Sequence, residues 1–406
     1  MRDLVLLRGI PCSGKSSFIQ TNKILLPFTI EVNAIRLLFQ SKLFDCETGK
    51  YHISRDKEKN VFEFLKNIIT SKMQNGEFIV LDDCNITIDD WIIKSADRFN
   101  YRIRVINFDI GLELCLERNR VREEYKQVAD QSIIDSYELY KDTILPDNIS
   151  IFSSSDENVV RDLIYDQPIH VDDYENIVIL GDIHGCFHPL NEYFTQYPFD
   201  EKNLYVFVGD YLDRGLQNKE VLEFLINLSD YNNVIFLEGN HSQERLWAKG
   251  IVDVKKTREF SAHTQHQIAA MDKKIVTNFT KQWREYVSLI FDNRHYFISH
   301  AGFDRYYSDI ALHPTRDFIR GSGYSDDIDS TYENSDSKPV QIHGHRNLFQ
   351  HPMDKFSRSI NLCEPVEFGG YLRVLMIARD GKRNYLRFKN DIYRSDEQKN
   401  GTIGGL

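Results

Sequence analysis

A chain of 406 residues is longer than one hydrophobic core usually supports, and its 41% hydrophobic and 12% aromatic residues are enough for two cores. The net charge of -11 argues against a protein that coats nucleic acid, because such proteins are basic, but it allows an enzyme with a local basic pocket. The six cysteines lack C-x-x-C spacing and no apolar run is long enough to span a membrane, so we expect a reduced, cytoplasmic setting and no membrane partner.

The first stretch with recognisable chemistry is a glycine-rich loop. Residues 4–7 are typical of a buried strand, and residues 9–16, GIPCSGKS, fit the phosphate-binding pattern G-x-x-x-x-G-K-S ahead of a predicted helix at 15–20. We expect the loop amides and Lys15 to bind the phosphates of ATP and the Ser16 hydroxyl to bind Mg²⁺. An ordinary glycine loop is the alternative. The residues predicted to bind the nucleotide here are Gly9, Ser13, Gly14, Lys15, Ser16 and Ser17.

The rest of the first half alternates between strand and helix patterns, which predicts an α/β domain with a parallel sheet. The runs are 28–32, 78–81 and 103–108 for strands and 56–73 for an amphipathic helix. Asp82 and Asp83 follow a predicted strand, where a carboxylate can bind a Mg²⁺ water ligand or act as a base. The helix predicted at 112–122 ends in arginines, which are either a solvated face or a lid that closes on the nucleotide phosphates.

Together these features resemble the phage and bacterial 5′-polynucleotide kinases. The resemblance implies that Arg118 and Arg122 are lid residues on the nucleotide phosphates, that Lys15 is catalytic, and that Arg36 contacts the acceptor phosphate. The segments that resemble the family are 9–16, 33–36, 82–85 and 118–122.

One position departs from that family. The resemblance implies an aspartate as general base three residues before Arg36, where this chain has Asn33. An amide cannot accept the proton of the attacking hydroxyl at neutral pH. Either Glu31 or one of Asp82 and Asp83 substitutes, or the kinase is weak, or the domain has become a nucleotide-binding module. Because phosphoryl transfer depends mostly on positioning and charge stabilisation, loss of the base need not abolish it.

Five short apolar runs in the second half end in glycine-rich turns with acidic, amide and imidazole side chains. Buried strands that end at a common edge would bring these side chains into one site. The side chains are Asp182, His184, Asp210, Asn240, His300 and His345. Carboxylate, amide and imidazole groups suit Mn, Zn, Fe or Ni, and we expect two divalent ions, with Mn²⁺ favoured. The alternative is that each residue caps a turn.

These six side chains could together hold two ions. Asp182 and His184 would hold one ion, the second would be held by Asn240, His300 and His345, and Asp210 would bridge them. Two such ions activate water for in-line attack on phosphorus.

Three residues beside these ligands are predicted to be catalytic. Arg214 would bind the phosphate, His241 would protonate the leaving alcohol, and Asp213 would orient His241.

These blocks resemble the calcineurin-like metallophosphoesterases, and the nearest branch is that of protein Ser/Thr phosphatases and bacterial polynucleotide phosphatases. The resemblance implies a two-sheet β-sandwich flanked by helices with a dinuclear site at one edge. Ser242 and Arg346 stand where the family usually has an acidic residue and a threonine. These differences bear on substrate choice and not on the metal site.

We divide the chain into a P-loop kinase-like domain at 1–160 and a phosphoesterase domain at 161–406, with a hinge between 150 and 172. Residues 261–286 are predicted to be helical, either a substrate-selecting overhang or a plain surface insert. Residues 325–337 are predicted to be a mobile acidic loop. Residues 371–377 and 384–388 are predicted to form a hairpin, and the tail at 390–406 to be partly ordered at most.

The leading hypothesis is an RNA end-healing enzyme with 5′-kinase and 3′-phosphatase (or 2′,3′-phosphoesterase) activity. Its partners would be RNA or DNA ends, cleaved tRNA among them, and a separate RNA ligase, because no adenylating lysine motif is present. A homo-oligomer is compatible with the sequence, and a phage-encoded chain would work in the host cytoplasm. One alternative is a protein Ser/Thr or dinucleoside-polyphosphate phosphatase with an N-terminal nucleotide sensor. Another is a nucleotide-gated module that recruits the phosphatase to a partner.

Overall fold

The protein is described from a computed structural model, which describes residues 2–46, 49–251, 257–322, 327–346 and 352–393. The chain forms two compact units, Met1–Asp166 with Asp309–Pro314, and Gln167–Ser308 with Thr315–Leu406. The expectations for the loop at 325–337 and the tail at 390–406 fall partly outside the described residues. Within the described part, Ile328–Glu333 is a helix with Ile328 and Tyr332 buried, so the predicted mobile loop is wrong there. Within the described ranges, no helix is both long and apolar enough to cross a membrane.

The first unit is built around one parallel sheet. Its elements are β1 (Arg2–Arg8), α1 (Lys15–Thr21), β2 (Thr29–Glu31), α2 (Val32–Phe39), β3 (Leu43–Asp45), β4 (Lys50–His52), α3 (Glu58–Gln74), β5 (Ile79–Asp82), α4 (Asp90–Phe99), β6 (Tyr101–Asn107), α5 (Leu112–Arg120), α6 (Asp130–Asp142), β7 (Ser150–Ser153) and α7 (Val159–Ile164). The sheet order is β2-β5-β1-β6-β7 with every pairing parallel, and β3 and β4 form a separate antiparallel hairpin. The predicted parallel sheet is confirmed.

The central strand β1 explains why helices cover both faces of this sheet. All seven of its residues are buried. Because side chains alternate along a strand, Leu4 and Leu6 pack with α2, α3 and α4, whereas Val5 and Leu7 pack on the other face with α1 and α7. The glycine-rich loop follows β1, and Asp82 ends the neighbouring β5, so both lie at the carboxyl edge of the sheet.

The second unit contains two packed sheets. Its elements are β8 (Ile169–His170), β9 (Asn176–Leu180), α8 (Phe187–Gln196), β10 (Asn203–Phe207), α9 (Asn218–Leu228), β11 (Val234–Phe236), α10 (Gln243–Ala248), a π-helical turn (Phe260–Thr264), α11 (Lys273–Lys281), β12 (Tyr286–Phe291), β13 (Arg294–Ser299), α12 (Thr315–Arg320), α13 (Ile328–Glu333), β14 (Val340–His343), β15 (Ser359–Asn361), β16 (Tyr371–Ala378) and β17 (Arg383–Lys389). The sheet orders are β11-β10-β9-β16-β17 and β15-β14-β13-β12-β8.

Alternating side chains hold the two sheets together. Ile177 and Ile179 of β9 pack with Leu289 and Ile298 of the opposite sheet, whereas Val178 on the outer face packs with the flanking helices. The predicted β-sandwich and the closing hairpin, β16 with β17, are confirmed. The helix predicted at 261–286 is wrong in extent. The chain there forms a short π-helical turn, then α11, and residue 286 already begins β12.

The helix α10 contains a buried carboxyl group, that of Glu244. Glu244 is 1% exposed, and neither of its carboxyl oxygens has a hydrogen-bond partner among the described residues. Burial, reinforced by the negative charge of Asp213, raises the pKa of Glu244 well above its usual range. The folded state therefore keeps a proton that the unfolded chain releases above a pH of about 4.3. Stability is lost as the pH rises from the unfolded pKa towards the folded one.

Replacing Glu244 by methionine is expected to stabilise the second unit at neutral and alkaline pH. Methionine fills a similar volume and has no buried polar oxygens. The Tm of the corresponding transition should rise by several degrees at pH 8, since about 1 kcal/mol shifts the Tm by about 2–4 °C in a domain of this size. At pH 4.5 the gain should be smaller. Scanning calorimetry at both pH values checks this, and an equal gain at both would contradict the titration.

Candidate active sites

The carboxyl ends of β9 and β10 bring three potential metal ligands together. Asp182 and His184 follow β9, Asp210 follows β10, and all three are buried. Nε2 of His184 lies 3.7 Å from Oδ2 of Asp210, and its Nδ1 lies 3.3 Å from the carbonyl oxygen of Leu212. A proton on Nδ1 would donate to that carbonyl and leave Nε2 free to bind a metal. One ligand atom from each of the three residues lies within 4.8 Å of the others.

A second cluster shares Asp210 with the first. His300 follows β13 and His345 follows β14, and their ligand atoms lie within 4.8 Å of one another and of Asp210. Nε2 of His300 lies 3.3 Å from Oδ2 of Asp210 and 3.1 Å from Oδ1 of Asn240. Its Nδ1 lies 3.0 Å from the carbonyl oxygen of Val208. The six predicted ligands therefore lie in one place, with Asp210 between the two groups.

The backbone around the ligands is tightly constrained. His184, Asp210 and His345 adopt left-handed conformations with φ of 46°, 48° and 60°. Such conformations are uncommon outside glycine and concentrate at functional sites. A Cβ atom on Gly344 would lie 2.0 Å from Oδ1 of Asp182, and one on Gly239 would lie 2.1 Å from Oδ1 of Asp210. The glycines beside the ligands are thus required for the carboxylates to fit.

The electrostatics suit cations. Burial alone would lower the pKa of His300, but the charge of Asp210 outweighs it and raises the pKa to about 9. Burial and the neighbouring His300 lower the pKa of His345 to about 3. Burial alone would raise the pKa of Asp210. The imidazoles of His300 and His241 outweigh this effect and hold the pKa of Asp210 well below its usual range. His345 is therefore neutral at physiological pH and Asp210 is ionised, which are the forms that bind metals, whereas His300 must release its proton when a metal binds.

The residues present fit a pair of divalent metal ions. Oδ1 of Asp182 is buried and has no hydrogen-bond partner in the described part of the chain. A buried carboxylate oxygen without a donor is costly unless a cation compensates it. Carboxylate, imidazole and amide donors suit Mn, Fe, Zn or Ni.

A buried histidine–aspartate pair borders the metal-ligand clusters. Nδ1 of His241 lies 2.9 Å from Oδ2 of Asp213, and the ring centroids of His241 and His184 are 5.1 Å apart. Nη2 of Arg214 lies 3.0 Å from Nε2 of His241. Burial opposes protonation of His241, but the charge of Asp210 and the hydrogen bond to Asp213 raise its pKa. All three residues predicted to act beside the metals are brought together.

Two carboxylates that sequence reasoning missed hold Arg214. Its Nη1 donates to Oε1 of Glu367 at 2.9 Å, and its Nε lies 3.5 Å from Oε1 of Glu259. Glu367 is buried, and Glu259 is partly exposed. Glu367 is far from Arg214 along the chain and Glu259 lies in the segment after α10, so no motif spacing marks either one.

The segment after α10 also reaches the histidine–aspartate pair. The hydroxyl of Thr264, at the end of the π-helical turn, donates to Oδ1 of Asp213, and Thr264 is fully buried. The amide nitrogen of Asp213 donates to Oδ1 of Asn218 at 2.8 Å, and the amide nitrogen of Asn218 donates to Oε1 of Gln267 at 2.9 Å. Thr264 is therefore no part of a plain surface insert. It fixes the carboxylate that orients His241.

Replacing Thr264 by valine is expected to lower phosphatase turnover about tenfold, because a hydrogen bond to a buried charge contributes about 1.5–3 kcal/mol. The loss should be larger for an alkyl phosphate than for p-nitrophenyl phosphate, since only the poor leaving group needs a well-placed acid. Thr264→Ser should recover most of the activity. Thr277→Val, at a partly buried threonine on α11, is the control. Equal losses on both substrates would indicate a purely structural role.

The second site is the glycine-rich loop of the first unit. Lys15 is buried, and its Nζ donates to the carbonyl oxygens of Gly9 and Ile10 at 2.7 and 2.8 Å. The hydroxyl of Ser16 donates to Oδ2 of Asp82 at 2.8 Å, and burial raises the pKa of that carboxyl group. Gly14 has a φ of 104°, which a side chain would strain. The loop thus holds its lysine and its hydroxyl in fixed positions.

The loop opens into a cavity of about 1120 Å³. Of the predicted nucleotide-binding residues, those that line it are Gly14, Lys15, Ser16, Ser17, Arg118 and Arg122. Gly9 and Ser13 do not line it but contact Nζ of Lys15. Six lysine and arginine side chains line the cavity against three carboxylates, in a chain with a net charge of -11. The cavity is therefore complementary to phosphates.

The same cavity contains the predicted acceptor residues. Asn33 and Arg36 both line it, and Nη1 of Arg36 donates to Oδ1 of Asn33 at 2.7 Å. Arg36 also forms a bidentate ion pair with Glu58, in which Nε donates to Oε1 at 2.7 Å and Nη2 donates to Oε2 at 3.1 Å. Among the carboxylates considered as substitutes for the missing aspartate, Asp82 and Asp83 line the cavity, whereas Glu31 does not.

Two family models match separate parts of the chain, one for each candidate site. Residues 175–370 match the model of the calcineurin-like phosphoesterase family, and residues 4–140 match that of an AAA domain family. The chain therefore contains a C-terminal calcineurin-like metallophosphoesterase domain and an N-terminal P-loop, kinase-like domain. It combines a phosphatase with a nucleotide-binding domain.

Solved structures with similarity to the chain cover about half of it. A protein serine/threonine phosphatase from Saccharomyces cerevisiae is 14% identical, covering 56% of this chain and 85% of its own, with a TM-score of 0.40. A proposed diadenosine tetraphosphatase is 18% identical, covering 55% and 99%, with a TM-score of 0.38. A metallophosphoesterase from Sphaerobacter thermophilus is 13% identical, covering 54% and 89%, with a TM-score of 0.36. At these values the similarities carry no functional conclusion.

Proposed function

We propose that the chain is a bifunctional enzyme of RNA ends, which phosphorylates a 5′-hydroxyl with ATP and Mg²⁺ and removes a 3′-phosphate or opens a 2′,3′-cyclic phosphate. The observation that supports it most is the cavity at the glycine-rich loop. Its lining includes the nucleotide-phosphate residues Lys15 and Ser16 and also Arg36 and Asn33, which we assign to the acceptor. A nucleotide sensor would need only the first pair.

The proposed roles in the phosphatase follow from the hydrogen bonds. Nδ1–H of His241 donates to Asp213, which stabilises the imidazolium. Nε2 lies 3.0 Å from Nη2 of Arg214 and would deliver a proton to the leaving oxygen once the guanidinium turns from Nε2 to the phosphate. Arg214 would bind the phosphate through its guanidinium. Two divalent ions, bound by the six ligands with Asp210 shared, would lower the pKa of a bound water and offset charge on the phosphoryl oxygens. We propose Mn²⁺ for both positions.

The proposed roles in the kinase rest on charge and position. Lys15, Arg118 and Arg122 would neutralise the phosphates of ATP, and Ser16 would bind its Mg²⁺. Asp82 already accepts a hydrogen bond from Ser16, so Asp83, which lines the same cavity, is the better placed carboxylate to take the proton of the attacking hydroxyl. We further propose that the enzyme acts on cleaved tRNA in the cytoplasm and that a separate RNA ligase joins the repaired ends. Self-association of the chain would be compatible with both activities.

The direct test uses an RNA with a 5′-hydroxyl and a 2′,3′-cyclic phosphate, incubated with the full chain, ATP and divalent metal. Both ends are analysed by mass spectrometry. The proposal predicts a gain of phosphate at the 5′ end and a loss at the 3′ end. Retention of both original ends would refute it. A parallel DNA substrate establishes the sugar preference.

A second candidate is a phosphatase of phosphoproteins or dinucleoside polyphosphates with a regulatory nucleotide-binding domain. The observation in its favour is that Asn33 replaces the base and that Arg36 is already paired with Glu58. This candidate predicts hydrolysis of a phosphopeptide or of diadenosine tetraphosphate and no change at either RNA end. The third hypothesis is that the first domain recruits the phosphatase to a partner. It also predicts that the RNA 5′ end is not phosphorylated.

Replacing Asn33 by aspartate separates these possibilities. If the domain phosphorylates RNA, the added carboxylate is expected to raise kinase turnover about tenfold, less than the full effect of a general base because positioning carries most of phosphoryl transfer. Asn22→Asp, away from the cavity lining, is the control. Turnover that is absent in the wild type and appears only in Asn33→Asp would identify a domain that has lost catalysis.

A further inference from the structure

The β3–β4 hairpin of the first unit presents two aromatic rings to solvent. Phe44 and Tyr51 are directly opposite each other across the two strands, and their ring centroids are 5.1 Å apart with an interplanar angle of 60°. They are 53% and 50% exposed. Neither ring belongs to a hydrophobic cluster of the unit. The pair therefore contributes little to the core, and half of its surface is available to a ligand.

The hairpin is continuous with the cavity at both of its ends. His52, directly after Tyr51, lines the cavity together with residues 53–56. Lys42, directly before β3, places its Nζ 3.3 Å from the centroid of the Tyr125 ring, and Tyr125 also lines the cavity. The hairpin that carries the two aromatic rings therefore adjoins the cavity, and Tyr51 lies one residue from its lining.

The hairpin is on the acceptor side of the cavity. The loop after β4 leads to Glu58, the first residue of α3, and Glu58 binds the guanidinium of Arg36. Arg55 in that loop and Lys126 beside Tyr125 line the cavity and add positive charge near the hairpin. The cavity beside the hairpin therefore offers cationic groups, and the hairpin itself offers two exposed aromatic rings.

Alternating phosphates and flat bases are the chemistry that matches cations followed by exposed rings. We infer that Phe44 and Tyr51 form a stacking platform for the bases next to the 5′ end of a single-stranded polynucleotide whose terminal hydroxyl enters the cavity. The inference rests on the proposed kinase function and adds the surface that binds its substrate. A protein partner, or a second copy of the chain, would be recognised by apolar area and would not require aromatic faces.

The test compares two acceptors with ATP and Mg²⁺. One is a nucleoside 3′-monophosphate, which is too short to reach the hairpin, and the other is a single-stranded oligonucleotide, as RNA and as DNA. The double variant Phe44→Ala/Tyr51→Ala should raise the KM of the oligonucleotide about tenfold or more and leave that of the monophosphate within about twofold, as expected for lost base stacking. Fluorescence anisotropy with a labelled oligonucleotide measures binding independently of turnover.

Two controls separate stacking from other effects. Phe64→Ala removes a 39% exposed ring that pairs with Phe39 and does not line the cavity, and it should leave both acceptors unchanged. Phe44→Leu keeps apolar area but no aromatic face, and it should weaken oligonucleotide binding nearly as much as alanine does. Wild-type binding by Phe44→Leu would overturn the inference in favour of an apolar partner.

The remaining outcomes are also decisive. A KM that rises equally for both acceptors, or an unchanged KM for the oligonucleotide, would overturn the platform. If the wild type phosphorylates neither acceptor but binds the oligonucleotide in a manner that depends on the two rings, the proposed kinase function fails and the platform stands. If the wild type neither phosphorylates nor binds the oligonucleotide, both fail.

Discussion

Replacing Asp210 by asparagine is expected to abolish phosphatase activity while leaving nucleotide binding intact. Asp210 belongs to both ligand clusters, and it also accepts a hydrogen bond from the amide nitrogen of His241 at 2.8 Å. Loss of one ligand charge shared by two ions removes several kcal/mol of transition-state stabilisation, or about 10³-fold in kcat. The amide also places a possible donor beside His300. Steady-state hydrolysis of p-nitrophenyl phosphate measures the loss.

Metal content distinguishes this effect from misfolding. The variant should bind fewer than two equivalents of metal by plasma mass spectrometry and keep the wild-type affinity for ATP. Asp230→Asn, at an exposed carboxylate two residues after α9, should retain full metal content and activity. If Asp210→Asn keeps both metals and most of its turnover, Asp210 is not a shared ligand.

Replacing Lys15 by alanine is expected to abolish phosphorylation of RNA 5′ ends. Lys15 is the buried cation at the base of the cavity, held by the carbonyl oxygens of Gly9 and Ile10. Removing it leaves the transferred phosphoryl group without its nearest fixed charge, so we expect a loss of about 10²–10³-fold in kcat/KM, comparable to loss of a preorganised donor. Transfer of labelled phosphate from ATP measures the kinase. Phosphatase activity should be unchanged.

Lys23→Ala is the matched control. This exposed lysine lies just after α1, the helix that begins at Lys15, and it does not line the cavity. It should retain wild-type transfer. Undiminished RNA phosphorylation by Lys15→Ala would mean that the glycine-rich loop is not the phosphate-binding site.

The sequence contained enough information to predict the sheets and the convergence of the six proposed ligands, because both depend on local patterns. Apolar runs of strand length predict buried strands, and a short motif at the end of each strand places its ligand without knowledge of the rest of the chain. His184 and Asp210 illustrate this: each follows its strand by a few residues, so the pairing of β9 with β10 is sufficient to bring them together.

The remainder depends on contacts between distant segments. Glu367 reaches Arg214 across 153 residues, and Thr264 reaches Asp213 across 51, with no spacing rule to announce either contact. The strands β3 and β4 are three residues long, too short to display a periodicity. The strand β12 was hidden because a polar, helical pattern runs directly into it.

Both arginines assigned to a substrate phosphate already have an acidic neighbour, Glu58 for Arg36 and Glu367 for Arg214. An incoming phosphate must therefore compete with a resident anion, and the binding energy that it gains is only the difference between the two. Acceptors without a phosphate gain nothing from such an exchange. The same competition favours departure of the product, because the carboxylate returns to its arginine as inorganic phosphate leaves.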